Sequence, residues 1–305
     1  MKRRLRSRDA RHDDISFECR PCLVSSRTRS TTASCSRADW VDAGDRREGQ
    51  SRRSRESTNS GTRAIVQRAC AAVIARPVGL DQTDVLSEMA NDLADHIQKL
   101  KENPASAIYF NEGWRVAIAD LTRVCAIQPH VSTDDALQRA EGVTRDDIRA
   151  VAQVTLPVDS STPIAAAFNE DKKAWVFSSA NPNLRVFGQA QGQLPVAPIF
   201  GFAVGVSLSF MQVASFNGRL LLRDGYYRAY GLLRRGITRA PVFVREFERF
   251  EDMRLPSGML PQDAYLGLRP PMLADYLNDD VSAEGAALVT QKVVIIQALE
   301  VATLG

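Results

Sequence analysis

Between Arg185 and Arg219 the chain carries no charged residue. A run of that length restricts its surroundings: it crosses a membrane, or it is drawn into a sheet. A membrane-spanning helix needs about 20 consecutive, predominantly apolar residues, and here Gln189, Gln191, Gln193, Pro195 and Pro198 break the apolar part. Farther on, Val204, Val206, Leu208 and Phe210 alternate with Gly205, Ser207 and Ser209, which is strand period. The expectation is one buried strand ending near Ala214, with no membrane involved. Asn217-Gly218 follows, the strongest short-range hairpin signal, and Leu220–Arg223 returns antiparallel.

The returning strand runs into Asp224-Gly225 and then a helix with Tyr226, Ala229, Tyr230 and Leu233 at three- and four-residue spacing, one core-facing stripe. Arg234-Arg235-Gly236 closes it, with cations at the negative end of the dipole and glycine at the C′ position. The next strand, ITRAPVFVREF, has Pro241 at its entry, where a missing N–H is tolerated. Strand, crossover helix and strand predict a right-handed parallel unit. Its turn offers backbone N–H groups at the helix N-terminus to an anion, with Arg228 one turn in. Gly231 lies mid-helix at a cost of about 1 kcal/mol against alanine, which predicts a close helix–sheet approach.

GRLLLRDGYYRAYGLLRRGITRAPVFV, within residues 216–244, resembles the strand–turn–helix–strand signature of the ParB/sulfiredoxin-like superfamily, in its ParB N-terminal-domain-like form. Members carry Asp-Gly-x-His-Arg or Gly-Glu-Arg-Arg, then an alanine-bearing helix, a glycine and a Val-Pro-Val strand. RVAIADLTRVCAIQP is similar to the opening strand and the Gln-Pro segment of that superfamily. The resemblance implies a core over about 106–130 and 199–247 with a large insert between. It makes Gly225 the motif glycine and Arg228 the motif arginine that helps hold phosphates. Tyr226 falls where sulfiredoxin-type members keep a nucleophilic cysteine and ParB-type members a glutamate. Tyr227 falls where members have histidine or arginine. Sulfinic-acid reduction is thereby excluded, and the motif supplies no general base, since a tyrosine of pKa about 10 is a poor one at neutral pH. Asp224 remains, although an N-cap aspartate is usually occupied with backbone N–H groups.

The fold expected for residues 64–305 is a single α+β domain: a mixed β-sheet with hairpins and one strand–helix–strand unit on a ParB/sulfiredoxin-like core. TDVLSEMANDLADHIQKLKENP reads as a helix with Leu86, Met89, Leu93, Ile97 and Leu100 on one stripe, Asp84 as N-cap and Pro104 as stop. His96 lies at its rim. SAIYF and WRVAIADL flank Asn111-Glu112-Gly113 as a hairpin. STDDALQRAEGV and TRDDIRAVAQVTL are two short helices, the second opening on Thr144 and Asp147 as a weak capping box. AWVF and LRVFG bracket SSANPN as a second hairpin. KVVIIQALEV completes the sheet or forms an edge open to another chain.

Residues 1–63 hold 16 of the 39 Lys+Arg and 9 of the 36 Asp+Glu. They lack an apolar period and read as a disordered, basic Arg/Ser-rich tail able to bind DNA non-specifically. Cys19 and Cys22, with Cys35 and His12, offer a weak zinc pattern, whereas Cys70 and Cys125 read as isolated small core residues. Nothing demands an oxidising compartment, so a cytoplasmic protein is expected.

The leading functional expectation is a non-catalytic or regulatory nucleotide- or phosphate-binding module. Its site is Arg223, Asp224, Gly225, Tyr226, Tyr227, Arg228 and Gln128, and its ligand a nucleoside triphosphate with magnesium. One alternative is a structural or interaction domain that keeps only the fold. Another is a phosphotransferase, nucleotide hydrolase or nuclease using Asp224, which requires a second carboxylate at the turn.

Overall fold

Asn217 and Gly218 take φ of 50° and 69°, the two left-handed positions of a type I′ turn. They join Gln212–Phe216 to Arg219–Asp224 in antiparallel register, with Phe216 opposite Arg219. That hairpin begins the main sheet in a computed structural model that describes residues 23–27, 66–89, 91–159, 162–179, 181, 183–194, 197–286 and 292–299. The elements run β1 (Leu23–Arg27), α1 (residues 66–74), β2 (Leu86–Ser87), α2 (Ala94–Glu102), α3 (Pro104–Asn111), β3 (Arg115–Asp120), β4 (His130–Ser132), α4 (Thr133–Arg139), α5 (Ile148–Thr155), β5 (Ala165–Asn169) and β6 (Ala174–Ser179). They continue as β7 (Leu184–Leu194), β8 (Ala197–Val206), β9 (Gln212–Phe216), β10 (Arg219–Asp224), α6 (Tyr226–Arg234), β11 (Arg239–Glu246), α7 (Gln262–Leu266), β12 (Ser282–Ala286) and β13 (Lys292–Gln297).

The architecture is mixed α+β. The main sheet has the order β10-β9-β11-β3-β2, with β9 and β11 parallel and every other neighbouring pair antiparallel. The crossover expectation is therefore corrected. Because β9 lies between them, β10 runs antiparallel to β11, and the parallel partner of β11 is β9. Pro241 is tolerated for the expected reason: Phe243 donates to Met211 on the β9 side, and β9 pairing begins only at Phe243. A proline two residues earlier on the same side interrupts no bond.

One hydrophobic core gathers buried side chains from Val85 to Tyr276. Its centre is aromatic: Tyr109 stacks on Phe243 at 5.1 Å and meets Phe210 edge-on at 5.3 Å. Tyr109 arrives on a helix, not on a strand. Pro104 ends α2 as expected but also occupies the first turn of α3, where its missing N–H costs nothing, and Asn103 Oδ1 accepts from Ala105 N at 2.9 Å. SAIYF is thus helical and the expected first hairpin does not form. Upstream, the predicted long helix starts late. Asp84 has φ 55°, Leu86–Ser87 is a strand, and only Ala94–Glu102 is α-helical, burying Leu100. His96 Nε2 is 2.8 Å from the Leu156 carbonyl. Asp147 caps α5 itself, accepting from Ala150 N at 2.9 Å.

The charge-free run spans most of β7 and all of β8 and β9, so three strands replace the one buried strand expected. β8 pairs with β7 over their lengths as a two-stranded arm, and β9 starts only at Gln212. β6 does not hairpin with β7; it pairs with β5 and β13. β13 pairs with β6 and is an edge strand of that small sheet. Within the arm read as disordered, Leu23–Arg27 forms β1 between β12 and β4. The rest of that tail, including the expected zinc pattern and the basic stretch expected to bind DNA, lies outside the described residues. Cys70 is disulfide-bonded, which overturns its reading as an isolated core thiol. Cys125 is free and buried. Among the described residues no helix is long and apolar enough to cross a membrane.

Candidate functional site

The end of β10 fixes the site. Gly225 has φ 103°, and a Cβ there would meet the Met211 backbone at 3.0 Å and its side chain at 2.9 Å, so both conformation and space require glycine. It is also the N-cap of α6, without a side-chain cap. Asp224 is therefore not the cap, and its half-exposed carboxylate is not spent on the helix. The first intrahelical bond runs from Ala229 N to Gly225 O, leaving the first-turn N–H groups directed out of the helix end.

All seven residues expected at the site line one cleft of about 450 Å³. Their roles divide. Tyr226 points into the core, where its hydroxyl accepts from Ile127 N at 2.8 Å and Gln128 N at 3.3 Å and donates to Leu222 O. Burial pushes its pKa far up, so it stays protonated. Arg228 is also buried, only 5% exposed. It donates to Ser209 O and, at 3.0 Å, to Ser209 Oγ, and lies 3.9 Å from Asp224. Burial lowers its pKa to about 10, with Asp224 acting in the other direction; it remains a cation at neutral pH. Arg223 donates to Met253 O at 2.8 Å and to Gln212 Oε1. Gln212 then donates through Nε2 to Tyr109 Oη at 3.1 Å, which fixes its amide orientation. The Gln128 side chain donates to His130 O, and its carbonyl accepts from Tyr276 Oη.

Two further cations complete the wall. Arg139, from α4, has its guanidinium 5.9 Å from the Tyr227 ring, and Arg254 approaches from the turn after residues 250–253. Neither has a side-chain hydrogen bond or ion pair among the described residues. The expected ligand-binding arginine, Arg228, is thus largely committed to the protein, and two arginines that sequence reasoning missed are the uncommitted ones. The signal for Arg139 was Gly231. A Cβ there would stand 2.2 Å from the Ala136 carbonyl oxygen and 2.9 Å from Ala140 Cβ. The glycine accommodates α4, not the sheet, and so brings Arg139 to Tyr227.

The cleft combines four guanidinium groups with helix N–H donors, and Asp224 is the one carboxylate among its described lining residues. That arrangement suits an anion with several oxygens. Half-buried Tyr227 has its pKa raised by burial and by Asp135. Among the described residues no group of three His, Cys, Asp or Glu converges to hold a metal. No protein-family model, curated protein or solved structure matches the chain.

Proposed function

We propose that the cleft binds a nucleotide or another phosphate-bearing ligand, and that the chain is a non-catalytic, regulatory module on a ParB/sulfiredoxin-like core. The observation carrying this reading is the meeting of two uncommitted arginines, Arg139 and Arg254, with the N-terminal end of α6 on one cavity. Guanidinium forks and helix N–H groups both recognise phosphate oxygens, and the dipole adds to the attraction. A nucleoside triphosphate with magnesium fits the expectation, with the metal carried on the phosphates. Catalysis is the weaker proposal, because Asp224 lacks a second carboxylate among the described lining residues.

The test is thermal unfolding of the chain with nucleoside di- and triphosphates, with and without magnesium. A ligand at 100 times its dissociation constant adds about 2.7 kcal/mol, and about 2–4 °C per kcal/mol is expected at this size. Arg139→Ala and Arg254→Ala should abolish the shift and keep the unliganded midpoint. Arg228→Ala should lower the midpoint even without ligand, because Ser209 loses its donor. Absence of a shift with every nucleotide favours a purely structural domain, a reading to which the internal bonding of Tyr226 lends support.

A further inference from the structure

Given the phosphate reading of the cleft, on which this assignment rests, we propose that the ligand is a ribonucleotide. Its nucleoside half lies in the polar cavity that adjoins the cleft at Arg139, with Asp159 accepting from a sugar hydroxyl. That second cavity, of about 230 Å³, shares Arg139, Ser209 and Arg228 with the cleft. Arg228 is held by both the carbonyl and the hydroxyl of Ser209, so the two residues form a fixed partition. A molecule that sets its phosphates on Arg139 can therefore extend past that partition into the second space.

The two spaces differ in chemistry. The cleft gathers guanidinium groups, whereas the cavity adds amides, hydroxyls and a carboxylate from Gln153, Asp159, Thr162, Asn181 and Ser207. A carboxylate repels phosphate oxygens, and an acidic residue that accepts from a ribose hydroxyl is a recurring device of nucleotide sites. Asp159 Oδ1 accepts from Gln153 Nε2 at 3.2 Å, which orients the carboxylate and leaves Oδ2 and Gln153 Oε1 without partners among the described residues. Asn181 Oδ1 is taken by Asn183 N at 3.0 Å, so the Asn181 side chain offers N–H donors only. Fixed amide donors and acceptors suit the edge of a base. Gln153, Asp159, Thr162 and Asn181 all lie in the insert between the two stretches that resemble the superfamily core, which gives the insert a role. A third cavity, of about 300 Å³, shares Arg223 and Arg254 with the cleft but suits a base less well. Arg223 lies over the Trp114 ring at 5.6 Å and Arg245 over Phe247 at 4.8 Å, so cations already cover the rings on which a base would stack.

Calorimetric titration of the full chain, with magnesium present, is the test. The ligands are the four ribonucleoside triphosphates, their 2′-deoxy counterparts and inorganic tripolyphosphate. At least one ribonucleotide should bind about tenfold tighter than its 2′-deoxy form, the worth of one hydrogen bond to a charged group, and tighter than tripolyphosphate. Asp159→Ala should erase the ribose preference without weakening tripolyphosphate, at an unchanged melting midpoint because this residue is exposed. Arg139→Ala should weaken all three ligand classes. Equal affinity for ribo- and deoxynucleotides overturns the nucleoside assignment and leaves the phosphate reading standing. A ribose preference that survives Asp159→Ala, or tripolyphosphate binding as tightly as every nucleotide, has the same consequence. Absence of binding by all of these ligands overturns both.

Discussion

Gly231→Ala sets two effects of known size against each other. Alanine in a helix interior is favoured over glycine by about 1 kcal/mol, so from α6 alone the variant should be more stable. The tertiary contact opposes this. The new Cβ would stand 2.2 Å from the Ala136 carbonyl oxygen, a backbone atom of α4, and 2.9 Å from Ala140 Cβ. Carbon atoms in contact prefer about 3.5–4.0 Å, so the two helices must part by about 1 Å. Overpacking of this kind costs about 1–3 kcal/mol, occasionally more. The backbone contact rules out relief by a rotamer change, so the upper part of that range applies. The net expectation is a loss of about 1–2 kcal/mol, or a midpoint lower by several degrees at about 2–4 °C per kcal/mol. Urea unfolding should show a lower midpoint at unchanged slope. Gly201→Ala is the control, since nothing lies within 4 Å of its Cβ position. Moving α4 also moves Arg139 from Tyr227, so any nucleotide-induced shift should shrink. A Gly231→Ala protein that melts at or above wild type would refute the close approach and the route by which Arg139 reaches the cleft.

Tyr226→Phe leaves the buried Ile127 N–H without its acceptor, which should cost roughly 1–3 kcal/mol in urea unfolding while leaving phosphate binding intact; a midpoint equal to wild type would contradict the buried bond. The Cys125 thiol is pushed up to about 12 by burial from an unfolded value of 9.0. The native state therefore retains this proton where the unfolded state has released it, and its contribution, complete below about pH 9, is lost as pH rises toward about 12. Tyr226 acts in the same direction through its burial. Cys125→Ala should flatten part of the fall in urea midpoint across that window; a slope identical to wild type would remove Cys125 from the effect.

Features set by a few adjacent residues were legible in the sequence. Asn217-Gly218 determined the hairpin because two left-handed residues match strand twist. Asp224-Gly225 determined the strand-to-helix turn, and Tyr226, Ala229, Tyr230 and Leu233 are buried as their spacing predicts, although Arg228, Gly231 and Leu232 outside that stripe are buried as well. Gathering the seven expected residues around one cleft followed largely from that short segment, with Gln128 held beside Tyr226. Where local signals competed, tertiary contacts decided. Pro104 is equally suited to ending one helix and beginning the next, and SAIYF became helical with Tyr109 stacked on Phe243. Strand partnership was not local either: the period of β6 is the same whether it pairs with β7 or with β5 and β13.

The cleft's free charge was decided at the same level. Arg139 and Arg254 reach the site through distant packing, Arg139 by way of the close approach of α4 to Gly231, while the motif residue Arg228 is engaged by Ser209, nineteen positions earlier. Sequence by itself determined the Asn217-Gly218 hairpin and the Asp224-Gly225 strand-to-helix turn, because those depend on the dihedrals of adjacent residues. Which arginines remain available to a ligand was determined only by the tertiary structure, because availability depends on the hydrogen-bond acceptors that the folded chain brings to each one.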